Sequence, residues 1–345
     1  NIVRDAGADG DITVNGRYTI PAGGTTLINK HATSALTFNG NNSGTGIVTL
    51  KDGKFAIKTP SATNSTHGGF TIENAELDVD ITSTAGGNLP FGNGPIQLGE
   101  VGSSAPASLI VTSIKGGTFA SNSKTINVNA PSTYDIDQGG TFTHTGAIVL
   151  ANDLTLDAGG VHSISGVISG TGNITTQTAT TLLTNNSNSF VGDLTVTNVL
   201  QLRANNAAGD AANQIIVDGG QFRTFITADA STRSLANPIT VSSGTFGGQA
   251  QGSTVDTGTF DFDGAITLDS DSILPFIAES NPTNEQALTY NINGAIADGD
   301  NTASLQIEGG GFATSSSVVN ITGGIDIGGS LILINESNLG TLTTN

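Results

Sequence analysis

The chain has no cysteine, no methionine and no tryptophan, only three tyrosines, and few charges. Without cysteine there is no disulfide framework, no thiolate nucleophile and no cysteine-ligated zinc, so stability rests on packing and hydrogen bonds. Charged residues are 12% of the 345 positions, about half the usual share, which leaves a surface built of hydroxyls and amides. No apolar run approaches the ~18 residues of a membrane-spanning helix, and no positively charged, apolar leader opens the chain. Membrane insertion by this chain is therefore not expected. It opens on Asn1 rather than Met, as a processed product or an excerpt of an exported protein would.

Positive charge is scarce as well. The formal net charge of −18 disfavours nucleic acid and anionic lipid as partners. Residues 1–124 hold 8 Lys/Arg against 9 Asp/Glu, whereas residues 125–345 hold 3 against 20. One part is nearly neutral and the other strongly acidic.

What the chain does have is alternation. Helical periodicity is nearly absent, and short period-2 runs recur: Leu154-Thr-Leu156, Leu194-Thr-Val196, Ile266-Thr-Leu268, Leu331-Ile-Leu333. Clusters of Gly, Asn, Asp and Ser separate them and supply turns. With 36% apolar residues in regular alternation, the chain is ordered and not a disordered polar tract.

Two phrases repeat. The first is apolar, apolar two on, Gly three further, Phe two further: Val48, Leu50, Gly53, Phe55; Ile215, Val217, Gly220, Phe222; Ile239, Val241, Gly244, Phe246; Leu305, Ile307, Gly310, Phe312. The second is Gly146-Ala-Ile148, Gly166-Val-Ile168, Gly264-Ala-Ile266, Gly294-Ala-Ile296 and Gly323-Gly-Ile325. Phe222 and Phe246 are 24 apart, Phe119 and Phe142 23 apart, and Gln201-Leu-Arg203 returns as Gln221-Phe-Arg223 after 20. A period of 20–24 residues is about one turn of a parallel β-helix, whose coils stack at ~4.8 Å with matching side chains in ladders. The predicted fold is thus all-β, a parallel β-helix of roughly fifteen coils. Residues 131–345 are read as β-helix repeats, and residues 1–130 as a β-rich region that either starts the solenoid or forms a small separate module. Sandwich domains would explain the short strands but not the fixed register.

Over residues 164–270 the text is more specific. Gly166-Val-Ile-Ser-Gly-Thr-Gly-Asn-Ile174, Leu182-Leu-Thr, Asn188-Ser-Phe-Val-Gly192, Leu194-Thr-Val196 and Leu200-Gln-Leu202 resemble the autotransporter-associated β-strand repeat of bacterial surface proteins, as does Leu235-Ala-Asn-Pro-Ile-Thr-Val241. The resemblance implies a right-handed β-helix outside the cell, structural or adhesive rather than catalytic, with Asn188, Phe190 and the matched glycines at corners and in the core. The stretch Leu339 to Asn345 lacks the aromatic-ended amphipathic strands of an outer-membrane barrel, so anchoring by this chain is not expected.

Signs of chemistry are thin. His31, His67, His144 and His162 have no partner at metal-ligand spacing and read as surface or ladder residues. Carboxylates spaced i, i+2 share a strand face. Four such pairs, Asp78 with Asp80, Asp135 with Asp137, Asp261 with Asp263 and Asp269 with Asp271, are the candidates for acid/base cleavage of a glycan, as β-helix lyases and hydrolases perform it. No aromatic platform for a sugar accompanies them. Asp269, Asp271, Asp298 and Asp300, with Asp9 and Asp11, are candidate Ca2+ ligands in oxygen-rich turns, and ordinary Asx turns are the favoured reading of them. Arg203 and Arg223 are expected to stack one coil apart, relieved by Asp193 and Asp218, or to form a ligand-binding stripe.

The expected function is that of a non-catalytic extracellular building block of a bacterial surface fibre, sheath or layer, with the chain itself as partner and head-to-tail contact as its mode. An adhesin passenger that binds glycans or a host surface is the first alternative. A polysaccharide lyase or glycoside hydrolase is the second. No resident cofactor beyond the Ca2+ candidates is expected.

Overall fold

The computed structural model describes residues 2–5, 10–16, 18–31, 33–40, 42–59, 66–81, 91–114, 121–137, 139–250, 257–269, 273–279, 287–299, 302–310, 316–335 and 339–344. Among these there are 35 strands and no helix, and the strands pair in parallel, coil over coil. The fold is a parallel β-helix. Its coils fall into two compact units, Asn1–Ile174 and Thr175–Asn345.

In the first unit one inner ladder runs Ile2, Leu27, Leu50, Ile72, Leu98, Val128, Leu150, each residue opposite the next. A second runs Ile12, Leu36, Phe55, Leu77, Leu109, Tyr134, Leu156. Both ladders continue across residue 130, through Val128 opposite Leu150 and Leu109 opposite Tyr134. From Leu27 onward these side chains are buried. Each contributes about 1.5–3 kcal/mol by leaving water, a gain that exists only because the coils above and below present apolar neighbours.

In the second unit the corresponding ladders are Leu194, Ile215, Ile239, Ile266, Ile296, Ile325 and Leu200, Phe222, Phe246, Phe276, Ile307, Leu333. A third wall joins Ser231–Leu235, Thr257–Phe262, Ala287–Ile292, Ser316–Ile321 and Leu339–Thr344, placing Leu235, Phe262, Ile292 and Ile321 in line. Phe246 and Phe276 meet edge to face at 5.2 Å, and Phe260 and Tyr290 stack at 4.8 Å.

Both repeated phrases turn out to be corners. Gly244 lies inside the long strand Ile239–Ala250 at φ +95, and a Cβ there would sit 2.1 Å from the Gly220 carbonyl oxygen. The register slips beside it, between Val217 and Gln221 on the neighbouring coil, so Gly turns the chain from one wall to the next. The second phrase stacks glycine on glycine: a Cβ on Gly294 would fall 1.9 Å from the Gly264 oxygen, and one on Gly323 2.2 Å from the Gly294 oxygen. Here close backbone approach, not left-handed backbone, demands glycine.

Two expectations need correction. The period of 20–24 is too narrow, because the pairing Ile148 with Ile168 spans 20 residues, Ile215 with Ile239 spans 24, and Ile266 with Ile296 and Ile96 with Ile126 each span 30. Extra residues lengthen corners without moving the walls. The fourth copy of the first phrase is also out of register. Leu305 and Ile307 pair with Leu274 and Phe276, on the wall of Phe222 and Phe246, whereas Ile215, Val217, Ile239 and Val241 form the wall before it. Both walls alternate with period 2, so the spelling cannot tell them apart. Gly310 lies opposite Glu279, and Phe312 lies outside the described residues.

Candidate functional site

The strand register assembles carboxylates that are distant in sequence. Asp78, Ile110, Asp135 and Asp157 lie in one row across four coils, with Asp135 directly opposite Asp157. These residues alternate with the inward-pointing Leu77, Leu109, Tyr134 and Leu156, which fixes them on the outer face. Asp78 accepts a hydrogen bond from the Thr112 hydroxyl, and burial raises its pKa despite that bond. Asp135 is pushed up to about 6, first by half-burial and then by the neighbouring charges of Asp157, Asp137 and Glu76. The row can therefore hold a proton close to neutral pH.

Other predicted pairs are tied into the scaffold. Asp261 accepts the Asn291 amide at 2.7 Å, and Asp263 accepts the Ser234 hydroxyl at 2.7 Å and the Asn293 amide at 2.8 Å. Of the Ca2+ candidates, Asp298 is buried, and its carboxylate accepts the backbone N–H of Ala303 at 2.7 Å and of Gly328 at 3.4 Å. Asp269 is exposed, and Asp11 accepts the Ala35 N–H at 3.2 Å. Asp9, Asp271 and Asp300 lie outside the described residues. Among the described residues no group of three or more His, Asp or Glu is arranged to hold a metal ion.

Three histidines sit in the core, His144 and His162 as ladder residues and His67 at a bend between strands. His67, His144 and His162 are fully buried. His162 lies opposite Phe142, and its ring meets Tyr134 edge to face at 4.8 Å. The Tyr134 hydroxyl is 3.4 Å from His144 Nδ1 and accepts from the Asn122 amide at the same distance. Neither ring nitrogen of His162 meets a partner among the described residues. Burial lowers the pKa of His144 to about 4 and of His162 to about 3, with His144 adding to the latter.

The arginine expectation fails in register. Gln201 pairs with Arg223, not with Gln221, so the two arginines do not stack. Arg203 instead lies over the Phe225 ring, 4.5 Å from its centroid, and donates to the Gln201 side-chain oxygen at 3.0 and 3.3 Å. Arg223 donates to Gln249 at 3.0 Å. A shift of two residues keeps side chains on their face and removes like-charge contact. Asp218 is engaged with Ser243, and Asp193 accepts the Gln214 N–H. Sequence reading missed Asp157, although it follows Asp135 by the 22 residues that separate Ile126 from Ile148.

Comparison with protein-family models, with curated proteins and with solved structures finds no match for this chain.

Proposed function

We propose that this chain is a non-catalytic structural component of a bacterial surface fibre or layer, outside the cell, that associates with further copies through the edges of its coils. The observation that carries the reading is exposed ladder surface. Leu331 and Leu333 extend the ladders above Leu305 and Ile307, yet 37% and 50% of their surface is exposed. Ile2 and Ile12, in register with Leu27 and Leu36, are 50% and 39% exposed. Inward-type aliphatics beside a strand edge with no partner among the described residues favour addition of another coil, which buries them and satisfies the edge. Head-to-tail addition of copies that does not close yields a filament. The resemblance of residues 164–270 to autotransporter-associated repeats supports the extracellular setting. In light scattering across a concentration series the chain should grow in mass, with filaments visible by electron microscopy, and Leu333→Lys should suppress growth. A monomer at high concentration and moderate salt overturns the proposal.

A further inference from the structure

All three basic residues of the acidic stretch 125–345, Arg203, Arg223 and Arg233, gather around Phe225. Arg203 covers its ring, Arg223 precedes it by two on the same strand, and Arg233 Nε donates to its carbonyl oxygen at 3.2 Å. Twenty acidic residues lie in the same stretch, yet neither Arg203 nor Arg233 is ion-paired to a carboxylate among the described residues. Neutral carboxamides hold the guanidinium groups in place: Gln201 for Arg203, Gln249 for Arg223, and Asn205, at 3.0 Å, for Arg233. For Arg203 and Arg233 an amide oxygen orients the N–H and supplies no opposite charge.

Arg233 also breaks the rule of its own wall. It lies opposite Phe260, and the same row continues through Tyr290 and Val319. The fold thus places a charge where the next three coils place apolar residues, a local conflict of the kind that marks function. Both Arg203 and Arg233 are half-buried, and burial lowers the pKa of each, so desolvation of these charges is a cost carried by the folded chain.

We infer that Arg203, Arg223 and Arg233 form a binding site for a single oxyanion, the carboxylate or sulfate group of an acidic sugar or the free anion. The guanidinium fork matches a planar or tetrahedral oxyanion in bidentate fashion. Arg203 Nη1 and Arg233 Nη2 donate to no protein atom among the described residues and remain for the ligand. The surrounding negative charge repels a polyanion but is screened within ~8 Å at physiological salt, so one anionic group is favoured over a dense run of them. This site is independent of coil-edge association.

The test is thermal unfolding of the whole chain titrated with sodium glucuronate, acetate or sulfate, against sodium chloride at equal ionic strength. We expect a saturable rise in Tm with glucuronate and sulfate. In Arg203→Gln/Arg233→Gln half-saturation should move at least tenfold higher, whereas Lys51→Gln, in the first unit, should leave it in place. Glucuronate saturating below acetate supports a sugar acid, and sulfate or acetate saturating as early supports the free anion. Circular dichroism checks folding, and Arg203→Lys/Arg233→Lys, which keeps charge but loses the fork, should also bind several-fold more weakly. Wild-type unfolding indistinguishable from the chloride control, or unchanged half-saturation in the folded variants, overturns the assignment.

Discussion

Asp135 and Asp157 face each other across adjacent coils, each between inward-pointing ladder residues. Two like charges in this arrangement work against the fold, and the ladders hold them together regardless.

Removing the Asp135 charge, which is half-buried and faces Asp157, should stabilise the first unit. The carboxyl of Asp135 is raised to about 6 from the ordinary carboxylate range, so the folded chain holds this proton more tightly than the unfolded chain. The group's contribution is fully present below about pH 4 and is lost as pH rises through 6. Asp135→Asn should raise Tm at pH 7 by a few degrees, an effect limited by the residue's partial exposure. It should also flatten the dependence of Tm on pH between 4 and 6. Equal slopes in wild type and variant would show that neither burial nor the facing charge penalises ionised Asp135.

The buried histidines act with the opposite sign. Their folded pKa values, about 4 for His144 and about 3 for His162, lie below the ordinary value near 6.5. Unfolding therefore takes up protons on acidification, and stability is lost as pH falls from about 6.5 toward 3. His162→Phe, which keeps a ring against Tyr134 and Phe142, should move the acid-unfolding midpoint to lower pH. Circular dichroism along a pH series reads it, and an unmoved midpoint would place acid unfolding elsewhere.

Glycine at a stacked corner should be intolerant of any side chain. Gly294→Ala puts a Cβ 1.9 Å from the Gly264 oxygen, and the corner must open to admit it. A loss of at least ~2 kcal/mol is expected in denaturant unfolding. Gly299→Ala, with nothing within 4 Å of the new methyl group, should change stability little. If both variants behave alike, close approach is not what selects glycine at these corners.

The amino-acid pattern shows that coils repeat and that Ile215, Val217 and Phe222 stack on Ile239, Val241 and Phe246, because an inner wall can be buried only by matching residues at matching places. It marked the corners, since only glycine admits a neighbouring backbone so closely. Tertiary structure alone decided which coil meets which: Arg203 over Phe225 rather than beside Arg223, Ile307 on the phenylalanine wall, Arg233 in an apolar row, Asp135 opposite Asp157. The physical reason is that alternation has period 2 on every wall and corners vary in length. A shift of two residues, or of one whole wall, therefore leaves the apolar pattern intact while changing every outward neighbour.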